Sequence, residues 1–194
     1  MSARSRLLLF GTPVLLAIGV ACWPRLAPPR AVTGGEPVAV SSDSSIAFAS
    51  VGDLVAASDA VVLAEVIDIA DGRTLTDPMS PDAGVRTSLA ALQVVEVLAG
   101  VAPDRLVLEE AAMLLDGTPV VVDGASAVEA GDRGVFFLVA GRSEAAPHWA
   151  VVGPPGRYLV RGDTLEAASP SPLASAIASA GGPALVDAVG AVSP

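Results

Sequence analysis

The sequence predicts a mainly β domain, a small antiparallel barrel or sandwich, with a hydrophobic helix before it and short helices after it. Three observations lead there. Short apolar runs separated by turn residues recur from residue 60 to residue 166. An apolar run from Leu7 to Trp23 stands apart from them. After residue 166 the composition turns to Ala, Ser and Pro. With 52% hydrophobic residues and 16% charged residues in 194, the composition argues against wholesale disorder. The length suits one domain of about 100–150 residues with appendages.

The chain opens with Arg4 and Arg6, then LLLFGTPVLLAIGVACW over residues 7–23, then Pro24. Basic residues, a short apolar stretch and small residues near its end form an export signal or a membrane anchor over 1–23. Gly19-Val20-Ala21 places small residues where cleavage after Ala21 would expose Cys22, the only cysteine. Cys22 is therefore the candidate for lipidation. Soluble secretion and an uncleaved anchor are the other two readings of the same segment. One cysteine also excludes an intrachain disulfide.

Residues 24–50, rich in Pro, Gly, Ser and Ala, read as a flexible spacer. All 11 basic residues are Arg, and four precede Ala31. The seven that remain face 21 acids, a net charge of −14 over residues 31–194. Such a surface repels nucleic acid and anionic lipid heads. It attracts cations, including Ca²⁺ or basic partner segments.

The β domain is expected over 51–166, opening with one or two helical turns at 51–59. Strands are read at 60–69, 87–98, 105–109, 119–122, 134–140, 148–152, 157–161 and 163–166. Asp71-Gly72, Asp77-Pro78 with Pro81-Asp82, Gly100 with Pro103, Asp116-Gly117 and Asp123-Gly124 separate them, with 70–86 as a long loop. Val135-Phe136-Phe137-Leu138-Val139 is apolar on both faces and should be central. If Gly153 to Gly156 is the loop of a hairpin, Trp149, Val151, Tyr158 and Val160 share one face. That patch is core or, given the only Tyr and one of two Trp, an interaction surface. Over 167–194, the i, i+4 pairs Leu173/Ile177 and Leu185/Val189 suggest two short helices split by Gly181-Gly182-Pro183. A structureless Ala/Ser/Pro tail fits the same composition.

Catalytic constellations are few. His148 is the only histidine, so any Ser-His-Asp or Cys-His arrangement would have to use it. No lysine is present, which excludes Ser-Lys dyads and P-loops. Glu109 and Glu110 are adjacent and point to opposite faces of a strand. Asp68, Asp71, Asp77 and Asp82 bracket the 70–86 segment as candidate Ca²⁺ ligands, without the order of an EF-hand. No cofactor motif is present, and no catalytic or metal residue is assigned.

Three segments carry a resemblance. Ser58-Asp59-Ala60-Val61-Val62-Leu63-Ala64-Glu65-Val66 resembles the first strand, and Val94-Val95-Glu96-Val97-Leu98-Ala99-Gly100 the end of the second, of uncharacterised exported or anchored bacterial proteins of the actinobacterial type. Gly131-Asp132-Arg133-Gly134-Val135-Phe136-Phe137-Leu138 resembles a later strand of the same group. The order of these cues is similar to netrin-like and metalloproteinase-inhibitor domains, which implies an OB-like barrel over about residues 53–165. Those domains inhibit through a cysteine-bearing N-terminus and are held by disulfides. This chain has no cysteine after Cys22, so inhibition is not implied. Ala99 stands where Lys is usual, which removes a charge.

Taken together, the sequence leads to an exported, membrane-associated β domain on the extracytoplasmic face, or secreted. It would act as a non-catalytic binding or envelope-interaction module. A Ca²⁺- or small-ligand-binding domain is the alternative, and a hydrolase using His148 or an acidic pair is third. Partners would be the membrane, through the N-terminal segment, and an unidentified envelope protein or ligand, with no nucleic acid.

Overall fold

The computed structural model describes residues 36–41, 47–77, 80–142 and 147–192. The expected export segment and Cys22 lie outside them. The protein is mainly β, in two sheets with no closed barrel, and carries helices at its C-terminal end.

Helix α1 (Val51–Ala56) is capped by Ser50, whose hydroxyl accepts the Asp53 N–H at 3.2 Å. β2 (Ala60–Asp77) and β3 (Ser80–Gly100) then form a long antiparallel pair. The stretch expected as a loop over 70–86 is thus mostly strand. Asp71-Gly72 falls at a register shift between Asp71 and Thr74, a bulge where a turn was expected. Only glycine fits there, because a Cβ on Gly72 would stand 2.1 Å from the Thr87 hydroxyl. β3 ends at Gly100, whose φ of +71° and close approach to the Asp59 carbonyl also require glycine.

β4 (Arg105–Leu114), β7 (Arg133–Val139), β9 (Arg157–Arg161) and β10 (Thr164–Ala167) complete the main sheet, in the order β10-β9-β7-β2-β3-β4. The short β8 (Ala150–Val151) also pairs with β7. The smaller sheet is β1 (Val38–Val40), β5 (Val120–Val122) and β6 (Ala125–Ser126), with β1 and β5 parallel. β1 falls within the stretch expected as spacer.

The main sheet curls strongly. Trp149 donates its backbone N–H to the Val107 carbonyl and accepts from the Glu109 N–H, while Val151, two residues on, pairs with Leu138 of β7. One segment therefore touches both β4 and β7, which are separated by β2 and β3 in the sheet. The link to β4 is a single bridge, and no ladder closes the expected barrel.

β7 lies between β2 and β9 with Gly134–Leu138 buried, and its two faces feed two cores. On one face Phe136 and Leu138 pack with Val62, Ala64, Val66, Leu92 and Leu108. On the other, Val135, Phe137, Tyr158 and Val61 pack under Leu54 of α1 and under two helices. These are α2 (Pro172–Ala180) and α3 (Gly182–Val192), which contribute Ala174, Ile177, Leu185 and Val189. Ser171 caps α2 by accepting the Ala174 N–H at 3.0 Å, and Pro172 occupies the first helical position, where no N–H is needed. The C-terminal residues through Val192 are thus a helical layer over the sheet.

Candidate ligand-binding cleft

Strand β4 sets the site. Alternation puts Leu106, Leu108 and Glu110 on the inner face and Glu109 on the outer one. The two carboxylates accordingly serve different partners. Arg73 from the β2 bulge donates to both oxygens of Glu109, Nε at 2.7 Å and Nη2 at 3.1 Å, and the Thr87 hydroxyl donates to Oε1 at 2.9 Å. Burial alone would push Glu109 up. The bonds from Arg73 and Thr87, with the charges of Arg73 and His148, outweigh it and hold the carboxyl below its usual range.

Glu110 meets Arg157, the first residue of β9. Arg157 Nη1 lies 2.6 Å from Oε1, and the two side chains are 5% and 15% exposed. Oε2 accepts the Val128 N–H at 3.1 Å, and Arg157 Nη2 donates to the Ser126 carbonyl. Burial pushes the Glu110 carboxyl up, and the charge of Asp132 adds to this. The Arg157 charge and the bonds from Val128 and Arg157 offset only part of it. Because Ser126 ends β6 and Val128 follows two residues later, the ion pair ties the smaller sheet to the main one. Asp132, buried just before β7, accepts the Glu129 N–H at 2.9 Å and Arg161 Nη1 at 2.7 Å, which fixes the connection into β7 against β9.

Between the two sheets lies a cleft of about 260 Å³. Glu109, Glu110 and Ala111 line it from β4, and Val122, Asp123, Ala125, Ser126 and Ala127 from the smaller sheet. Ala150, Val151, Gly153, Pro154, Arg157 and Ala168 complete the wall. Arg157 Nε has no hydrogen-bond partner among the described residues, although it is buried. Ser88 Oγ, on the residue paired with Glu110 across β3 and β4, has none either.

The expected aromatic patch is divided. Trp149 and Val151 pack on the first core, whereas Tyr158 and Val160 pack on the second, across the sheet. The reason is topological: β8 and β9 do not form a hairpin. Both run antiparallel to β7 along the same edge, as one strand interrupted by residues 152–156. That interruption includes a 3₁₀ turn over Pro154–Gly156, so the face count across Gly153–Gly156 does not carry through. Tyr158 is fully buried and meets Phe137 edge-to-face at 6.1 Å.

His148 is half-buried beside Glu109. Among the described residues, no three His, Cys, Asp or Glu side chains gather as a metal site. Asp68 and Asp71 are exposed on β2, and the side chains of Asp77 and Asp82 lie outside the described residues. Among the described residues no single helix is long and apolar enough to cross a membrane. The pairing of Glu110 with Arg157 was missed from sequence. The available signal was an arginine next to a β run, in RYLVR, and a double glutamate after LVL. No known protein family and no curated protein matches this chain.

Proposed function

We propose that this chain is an exported β domain, held at the extracytoplasmic face of a membrane by its N-terminal segment, that acts by binding and not by catalysis. The N-terminal part of this reading rests on Arg4, Arg6 and the apolar run to Trp23, followed by a spacer-like stretch. The binding part rests on one observation. Glu110 and Arg157, the charged groups that meet at the inter-sheet cleft, and Glu109 on the opposite face of β4 are engaged by partners within the protein. Such groups hold a shape; a catalytic acid, base or nucleophile must instead be aimed at a reacting atom. The cleft is therefore a preformed, mostly apolar cavity with a few polar groups at its wall, as ligand sites commonly are.

Adding protease to intact cells whose outer barrier has been permeabilised tests the sidedness. The domain should be degraded while cytosolic markers survive. Full protection, with the chain in the cytosol and Met1 intact, would contradict it.

A further inference from the structure

The second half of β2 is an open strand edge, and we propose that it takes an extended basic segment of a partner protein as an added strand. β7 pairs with β2 only over Ala60–Glu65, and Val66 adds backbone bonds to Gly131 and Asp132. On its other side β2 stays paired with β3 as far as Asp77. From Ile67 to Thr76, then, one side of β2 has no neighbouring strand among the described residues, and the N–H and C=O groups along it are left to water. The other edges are shorter or already met. β4 is bridged by Trp149 and Pro119, β10 spans 4 residues beside α2, and β1 spans 3 after Pro37.

Surface and charge select the occupant. Edges that proteins keep closed to other chains are usually short, or carry Lys or Pro. This one has neither residue, and it leaves Ile67 45% and Leu75 42% exposed. Bulges at Ile67 and Gly72 bend it, but Asp68–Asp71 and Thr74–Thr76 stay regular. Asp68 and Asp71, both exposed, are three residues apart and so stand on opposite faces of the strand. Arg73, the only cation in the stretch, is engaged by Glu109. The edge is therefore acidic, within a chain of net charge −10. A second copy pairing on Asp68–Asp71 would set each copy's aspartates against the other's. Lys or Arg three residues apart on a foreign strand would instead face both. In strand addition the main-chain bonds give affinity and the side chains select the partner. The inter-sheet cleft plays no part in this, so the edge stands or falls separately from the binding role proposed above.

The test titrates the full chain with a capped peptide, Thr-Val-Lys-Thr-Val-Lys-Val-Thr, and reads backbone amide NMR shifts and amide hydrogen exchange. The amides of residues 67–76 should shift and exchange more slowly, with a dissociation constant of about 1 mM or tighter. The same peptide with Glu for both Lys should bind at least about fivefold more weakly, and so should one with Pro for two of the Val, which keeps the charge but loses N–H groups. Asp68→Lys combined with Asp71→Lys should reverse the preference between the Lys and Glu peptides. Asp68→Asn with Asp71→Asn, expected to abolish that preference, serves if the reversed chain does not fold. No binding of the Lys peptide at about 1 mM would overturn the proposal, as would equal binding of the Glu or Pro peptide or shifts confined to β1 or β10. Self-association through residues 67–76 without peptide would overturn the occupant in favour of a second copy.

Discussion

At the residue scale, the two adjacent glutamates differ in environment and so in their pH behaviour. Glu109 is held below the usual carboxylate range, so its contribution to stability is present above that range and lost as pH falls through it. Glu110 is pushed up by burial. Its carboxyl binds a proton more readily in the folded chain, so stability declines as pH rises through its titration. Urea unfolding across a pH series should therefore give two opposite difference curves. The wild-type advantage over Glu109→Gln grows with pH, and that over Glu110→Gln shrinks; parallel curves would refute the assignment. Removing one partner of the buried pair, as in Arg157→Ala, should cost about 3–5 kcal/mol, read from the same unfolding curves. Tyr158→Phe should go the other way. Its hydroxyl is buried without a partner among the described residues, so deleting it should leave stability equal or up to about 1–3 kcal/mol higher, with the Phe137 ring contact intact. Periodicity could place Glu109 and Glu110 on opposite faces, because that follows from strand geometry alone. It could not show which arginine each would meet, since Arg73 and Arg157 reach β4 only through tertiary structure.

At the element scale, the helical layer is predicted to be integral to the domain. Leu185 and Val189 of α3 and Ile177 of α2 cover the face of the sheet that carries Val61, Phe137 and Tyr158. Leu185→Ala should cost about 2–5 kcal/mol, as for other large-to-small core changes, measured by thermal or urea unfolding. A chain ending at Ala167 should bind a hydrophobic dye and aggregate, because that face would meet water. The i, i+4 spacing in the tail gave these helices locally, and the apolar run of β7 announced a strand buried on both faces. The bulge at Gly72 and the interruption between β8 and β9 were not legible. A Gly beside Asp, or Pro-Pro between two apolar runs, signals a turn by local chemistry. Whether the chain then reverses or continues along the same neighbour depends on the strand already waiting there, here β3 or β7. The same limit explains the divided aromatic patch and the barrel that does not close.

At the scale of the whole molecule, an acidic two-sheet β domain follows an N-terminal segment with the composition of an export signal or anchor. The domain's cleft sits where the sheets meet, held by the Glu110–Arg157 pair. The net charge of −14 over residues 31–194 opposes adsorption to anionic lipid, so the proposed membrane association would fall to the N-terminal segment. The intact mass of the native protein, taken separately from membrane, supernatant and cytosolic fractions, tests this most directly. The expected result is recovery from membranes, either as a chain that starts at Cys22 and carries lipid or as one that retains the apolar segment. An unmodified chain starting at Met1 and found in the cytosol would contradict it.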